Sequence, residues 1–226
     1  MVDLRKISKK QFLVGMNLAL KNARSLVREA ELLAKHRAHS RAFGLGILSL
    51  EEAGKVVFLV MCSCADRFKE EQKTLNKLWK LYSSHKAKIA FFEDFYRVKW
   101  KQVLYFRKRK HKKESEKDRK EMRLFEKATV DVANYLKRVK LSSFARLKSK
   151  CFYVDIDRKT LDFHPPYQVP HNVAKGLILL AKGHIKDAEK LRDTFRRTRT
   201  EQLSDDIIAL MFKREFLEQL SQTLTK

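Results

Sequence analysis

Residues 42–65 read AFGLGILSLEEAGKVVFLVMCSCA, and as a helix they are apolar almost all the way round. A helix with this pattern is normally buried, so we expect it to lie at the centre of the fold. A membrane span is the rival interpretation. Two carboxylates and one ammonium near the middle of the segment argue against it, because each costs about 2.5–3.5 kcal/mol at the centre of a bilayer. We therefore predict a buried helix of a bundle and no transmembrane segment.

The charges of this helix are Glu51, Glu52 and Lys55, which fall within one sector at 3.6 residues per turn. Glu51 and Lys55 stand at the i,i+4 spacing, which predicts an ion pair between them. Two interpretations of the cluster stay open: a local ion pair that lines a groove, or a functional site. All three residues are therefore candidate catalytic residues.

Composition predicts an all-α fold. The chain has 226 residues and 44% hydrophobic content, which suffices for the core of a single helical domain over residues 1–226. Only 6 Gly and 3 Pro are present, and all three prolines lie within residues 165–170. Because these residue types break helices, their scarcity indicates a bundle of long antiparallel helices.

The first predicted helix begins at a capping box, Ser8 with Gln11, and carries an apolar stripe. The short link KHRAHS joins it to the central helix and predicts an antiparallel helical hairpin. His36 and His39 lie in this link, where we expect them to be solvated. No acidic or cysteine ligand stands nearby, so we predict neither a metal site nor a cofactor.

One non-helical insertion is predicted at about residues 151–170. Its first part, CFYVDIDRKTLDF at residues 151–163, is rich in β-forming side chains and indicates a short β-hairpin-like insertion that turns near Asp157. The segment HPPYQVP ends it. Helix resumes after Pro170 with an apolar stripe, and a final helix is predicted to start near Ser204.

The positive charge is large and localised. The sequence has 51 Lys and Arg against 27 Asp and Glu, a net charge of +24, and residues 97–150 hold 20 basic and 6 acidic side chains, or +14. Such a strongly basic surface favours polyanions, so nucleic acid is the first predicted partner and an anionic membrane surface the second. Residues 107–123 are predicted to project from the bundle as a solvated helix end or loop, and the alternative to phosphate contact by residues 107–113 is a plain charged surface. The phosphate-contact candidates are Arg107, Lys108, Arg109, Lys110, Lys112 and Lys113.

Cysteine usage and motif content narrow the functional classes. Three cysteines without a CxxC pair predict a reducing cytosol and no disulfide framework, and the polar N-terminus shows no signal peptide, so we expect a cytoplasmic protein. No glycine-rich phosphate loop, Ser-His-Asp spacing or HExxH motif occurs. The familiar hydrolase and nucleotide-binding motifs are therefore missing.

Residues 17–55, NLALKNARSLVREAELLAKHRAHSRAFGLGILSLEEAGK, resemble the opening of the AbiV family of abortive-infection proteins. The matching features are Asn22-Ala23, Glu29-Ala30 and Glu51-Glu52-x-x-Lys55. Two later blocks also look like parts of this family: His85-Lys86-x-Lys88 and Phe152-Tyr153-Val154-Asp155. The resemblance covers about residues 12–170.

The resemblance implies a bacterial phage-defence factor near the HEPN helical-bundle superfamily, many of whose members are dimeric, metal-independent ribonucleases. It therefore implies a homodimer that arrests host growth or translation on infection by binding or cleaving RNA. The aromatic-rich residues 91–106 are predicted as core or dimer face. The alternative function is a non-catalytic interaction protein that blocks translation through a phage or host protein partner.

The HEPN signature is an Arg, four to six residues, then His, and its literal match here is Arg158 to His164. This pair lies outside a helical run, where the superfamily would not place it. His85 is better placed, with Lys80 four intervening residues upstream, although Lys lacks the planar fork of Arg. A histidine could move a proton at the ribose 2′-OH while Lys88 stabilises phosphate charge. His85 and Lys88 are therefore catalytic candidates; the alternative is a helix-surface histidine beside lysines.

Overall fold

The computed structural model describes residues 7–63, 116–138, 144–153, 155–156, 163–164 and 166–197. In chain order the described elements are helices α1 (Lys9–Lys35), α2 (His39–Ser63), α3 (Glu116–Arg138) and α4 (Phe144–Phe152), strands β1 (Asp155–Ile156) and β2 (Phe163–His164), and helix α5 (His171–Arg197). The all-α prediction is confirmed.

Helix α2 lies at the centre of the described helices, in contact with α1, α4 and α5. Phe43, Ile47 and Phe58 on this helix are almost completely buried, as its pattern predicted. Its apolar surface is covered by protein, because three neighbouring helices share it. None of the described helices combines the length and the hydropathy that a membrane crossing requires.

Helices α1 and α2 form the predicted antiparallel hairpin. The capping box is present: the Gln11 backbone N–H donates to the Ser8 hydroxyl, and the Ser8 backbone N–H donates to Gln11 Oε1 at 2.8 Å. Ser49 in α2 donates to the carbonyl of Ala23 in the middle of α1 at 2.8 Å. The link turns at Arg37, whose φ of 62° is left-handed. This turn reverses the direction of the chain, so that α2 runs antiparallel to α1.

The remaining helices pack around this hairpin. Helix α5 contacts both α1 and α2, and Leu177 fits against Gly46, where a Cβ would lie 3.1 Å from its side chain. Helix α3 covers α5, with Val132 and Tyr135 buried. The Tyr135 hydroxyl donates to the Gln168 carbonyl at 3.1 Å. This bond ties α3 to the segment that leads into α5.

The β-hairpin-like insertion is shorter than predicted. Helix α4 continues through Phe152, so residues 151 and 152 are helical, and each strand of the antiparallel pair has only two residues. Cys151 is fully buried in the core, where packing outweighs the β-propensity of the local sequence, and this burial raises the pKa of its thiol to about 12. Helix resumes at His171, directly after Pro170, as predicted. The register pairs Asp155 with His164 and Ile156 with Phe163.

Several predicted features lie outside the described residues. They are the aromatic-rich residues 91–106, the basic run 107–113, the pair Lys80 and His85, Arg158, and the final helix from Ser204. Of the predicted projecting segment 107–123, residues 116–123 belong to the start of α3.

Gly44 in α2 lies against the ring of Phe152 in α4, and Gly44→Ala should destabilise the protein. An added Cβ would lie 2.5 Å from Cε2 of Phe152. Overpacking of this kind costs about 1–3 kcal/mol, more than the roughly 0.5–1 kcal/mol that replacing a helical glycine returns. Denaturant unfolding measures the change. In a Phe152→Leu background the same substitution should cost much less, and an equal cost in both backgrounds would contradict this explanation.

Candidate functional site

The structure describes only part of the predicted site. Glu51, Glu52 and Lys55 lie in α2, which is described over its whole length. The other candidate site residues remain predictions. Outside the described residues lie His85, Lys88 and the basic run 107–113.

Glu51 pairs with a lysine from another helix. Nζ of Lys148 in α4 donates to Oε1 of Glu51 at 2.8 Å, and these side chains are 16% and 4% exposed. Lys55 instead contacts Glu52, three residues before it, with Nζ and Oε1 2.5 Å apart. The predicted pair of Glu51 with Lys55 is therefore wrong. Spacing along one helix cannot show that a neighbouring helix supplies a closer cation for the more buried carboxylate.

A cleft of about 710 Å³ lies where the end of α1 meets the beginnings of α2 and α5. We name it the histidine cleft. Its volume falls within the range of small-molecule sites, about 300–1,000 Å³. Its titratable lining residues are Lys35, Arg37, Lys175, Lys182, His39, His171 and Glu31.

Two histidines meet in this cleft. His39 begins α2 and His171 begins α5, and their ring centroids are 4.7 Å apart in an edge-to-face arrangement. Nδ1 of His39 is buried, and no described residue supplies it with a hydrogen bond. His171 is exposed, yet its pKa is lowered because partial desolvation, Lys175 and His39 all disfavour the imidazolium.

The histidine cleft carries an excess of positive charge. Lys182 is paired with Glu31 across α5 and α1. Within the described part of the chain, Lys35, Arg37 and Lys175 form no ion pair. The N-terminal ends of α2 and α5 add their backbone N–H groups and the positive ends of their dipoles. This combination suits an anion such as a phosphate.

Sequence reasoning missed this site. His36 is exposed, as predicted for the link, but His39 is the first residue of α2 and is partly buried. His171 had no motif around it, and its partner lies more than a hundred residues away in the sequence. The one available signal was that His171 stands at a predicted helix start and His39 in the link just before one. Among the described residues, no group of His, Cys, Asp and Glu side chains could hold a metal ion.

Lys148→Met tests the buried ion pair, because it leaves the Glu51 carboxylate without its lysine. We expect a loss of about 3–5 kcal/mol in the free energy of unfolding, measured with denaturant. Lys55→Met is the matched control and should cost less, since Glu52 at 17% exposure keeps more contact with water than Glu51. Adding Glu51→Gln to Lys148→Met should restore most of the loss. A double variant as unstable as Lys148→Met would assign the loss to packing of the lysine stem.

The HEPN_AbiV family model, described as AbiV, matches residues 11–186, more than three quarters of the chain. The matched segment contains the lining residues of the histidine cleft and both ion pairs of α2. Comparisons with curated proteins and with solved structures gave no match. The resemblance found in residues 12–170 is thereby confirmed, and the chain belongs to the AbiV family of HEPN-like proteins.

Proposed function

We propose that this protein is an abortive-infection defence protein that arrests host growth during phage infection by binding RNA. Membership in the AbiV family supports the defence role. The observation that carries the RNA role is the histidine cleft, where two imidazoles and two helix N-termini converge with three cations that form no ion pair among the described residues. Phosphate is the anion that this set of groups suits best.

The basic segment supports the same ligand. Residues 97–150 carry +14 of the net charge of +24, and binding of RNA phosphates would release counterions from such a surface. Its described helix α3 packs on α5. Asn172, next to His171, donates to Asp131 of α3 at 3.2 Å. Part of the basic segment is therefore attached to the same helix end that forms the cleft.

We further propose that the protein cleaves the RNA that it binds. In it, His85 moves the proton of a ribose 2′-OH while Lys88 stabilises the charge on the phosphate, and no metal ion takes part. Glu51, Glu52 and Lys55 stay candidates for a supporting role. The competing function is arrest of translation through a protein partner, without RNA chemistry.

RNA binding should depend on the cleft lysines and fall steeply with salt. We expect log K to decrease with log salt by about 0.7 for each phosphate contacted on single-stranded RNA, as fluorescence anisotropy would measure. Lys35→Gln with Lys175→Gln should weaken binding and flatten this slope by about 1–2. Lys21→Gln with Lys190→Gln is the matched control, because it removes the same charge from exposed positions of the same two helices. Equal losses from both double variants would contradict a binding site in the cleft.

Two further arms of this experiment separate the remaining alternatives. Replacing four lysines by Gln should also flatten the slope of log K against log salt; they are Lys108, Lys110, Lys112 and Lys113. An unchanged slope would show that this basic run is only a solvated surface. Incubation with total RNA and EDTA tests cleavage. Metal-independent cleavage that is lost in His85→Ala supports the enzyme, whereas intact RNA in every sample supports binding alone. Absence of any RNA binding would favour the protein-partner function.

We also propose that the protein is a homodimer, motivated by the aromatic surplus of residues 91–106 and by the HEPN-like family. Aromatic side chains of this density are typical of core and interface surfaces. Sedimentation velocity should give twice the chain mass of 26.7 kDa at micromolar concentrations. A monomer at every concentration would exclude the dimer.

A further inference from the structure

Helix α1 exposes hydrophobic side chains on the side that faces away from the core. In the described part of the chain, six large hydrophobic side chains are more than half exposed, and three of them belong to α1: Val14 at 51%, Leu18 at 62% and Leu32 at 57%. At 3.6 residues per turn they fall within a sector of about 40°. The buried residues Met16 and Ala23 lie on the opposite side of the helix. The three exposed side chains therefore form one outward row.

Positive charge lies in the same row, without a carboxylate. Lys10, Lys21 and Arg28 are exposed, and they widen the sector to about 80°. None of the three forms an ion pair with another described residue. The acidic residues of α1, Glu29 and Glu31, fall outside the sector. We name this set the outer row; it consists of Lys10, Val14, Leu18, Lys21, Arg28 and Leu32.

Helix α3 shows that exposed hydrophobic side chains need not form such a row. Leu124 and Val130 are 53% and 56% exposed, but they lie about 120° apart around the helix axis. Asp131 lies beside Leu124 on the helix, and Glu126 lies beside Val130, so each has a carboxylate close by. The combination of aligned apolar side chains with cations alone is therefore a property of α1, and α3 serves as its comparison.

An anionic membrane surface uses both kinds of side chain in the outer row. Lysine and arginine are attracted to anionic lipid headgroups, and leucine and valine insert at the boundary between headgroups and acyl chains. The row is straight and about 33 Å long at 1.5 Å per residue. It follows the outward ridge of a single helix, which a flat bilayer can contact along its whole length.

Other occupants use only part of the outer row. The bases of RNA stack on aromatic side chains, and the row contains none. Two copies paired through this row would bring three cations against three cations. Protein interfaces are normally anchored by clustered side chains that fill pockets, whereas Lys21 and Arg28 separate Leu18 from Leu32 here. A lipid surface therefore fits the row better than these alternatives.

We propose that the outer row of α1 binds an anionic phospholipid surface, with the helix axis parallel to the bilayer. The three cations lie at the level of the headgroups, and Val14, Leu18 and Leu32 enter the boundary with the acyl chains. The contact is interfacial, so α1 stays packed on α2 and α5. The outer row shares no residue with the histidine cleft, and its role does not depend on the proposed function.

Co-sedimentation of the full chain with vesicles tests this contact. One set of vesicles contains equal parts of phosphatidylserine and phosphatidylcholine, and the other contains phosphatidylcholine alone. We expect at least about tenfold tighter binding to the anionic vesicles, since each cation near such a surface contributes about fivefold. Salt should weaken this binding. Equal binding to both sets, or binding to neither, would overturn the proposal.

Two triple variants test which cations are responsible, each replacing two lysines and one arginine by Gln at exposed positions. They are Lys10→Gln, Lys21→Gln and Arg28→Gln on α1, and Lys120→Gln, Arg123→Gln and Lys127→Gln on α3. At low salt the α1 variant should bind anionic vesicles about a hundredfold more weakly. The α3 variant has the same net charge and should lose far less. Equal losses would show attraction to the net charge of the protein and would overturn the proposal.

Leu18→Gln with Leu32→Gln tests insertion at constant charge. Because apolar contact with the acyl boundary is lost, binding to anionic vesicles should fall at least about tenfold. The matched control is Leu124→Gln with Val130→Gln, which should leave binding unchanged. All four positions are exposed, so the melting temperatures should stay the same. Unchanged vesicle binding in the α1 variant, or an equal loss in the control, would overturn the proposal.

RNA binding by the same variants separates this surface from the histidine cleft. Fluorescence anisotropy should give the same RNA affinity for Leu18→Gln with Leu32→Gln as for the unmodified protein. Failure of RNA binding in every protein, with vesicle binding retained, would contradict the proposed function and leave the membrane contact standing. A parallel loss of RNA and vesicle binding in the α1 variant would make the outer row a general polyanion surface and overturn the proposal.

Discussion

Burial of α2 on all sides is the constraint on which the described fold depends. A helix that is apolar around most of its circumference cannot rest on one neighbour, so α1, α4 and α5 must all cover it. Their close approach is permitted by small residues on α2, since Phe152 lies over Gly44 and Leu177 over Gly46. The three covering helices are thereby held in fixed positions. The histidine cleft is a result of this arrangement, because it forms where the ends of the helices around α2 come together.

The elements that the sequence predicted well are those decided by local chemistry. The capping box of Ser8 and Gln11, the start of α5 after Pro170 and the apolar pattern of α2 each depend on residues within a few turns. Contacts between helices depend on how the helices dock. For this reason the partner of Glu51 was predicted on the wrong helix, and the cleft was not predicted at all. Buried Cys151 shows the same effect, since tertiary packing kept a β-prone segment helical.

The ionisable groups of the described helices differ in how completely they are compensated. Glu51 and Glu52 each have a lysine within hydrogen-bonding distance, so the charges of these two carboxylates are matched inside the protein. The cleft does not reach such a balance, because its cations outnumber Glu31 and Nδ1 of His39 lacks a partner among the described residues. An uncompensated site binds a ligand more readily than a compensated one, since no internal contact has to be broken first. The histidine cleft is therefore a better candidate for a binding site than the paired carboxylates of α2.

The position of Cys151 has a consequence for chemical modification. Its thiol is fully buried and its pKa is raised to about 12, so almost none of it is ionised in the folded protein at neutral pH. Alkylating reagents and peroxides react with the thiolate, and they also need access to the sulfur. Both conditions are met only when α4 separates from the core. The speed at which a reagent labels Cys151 therefore reports how often this helix opens, without any probe having to be introduced into the chain.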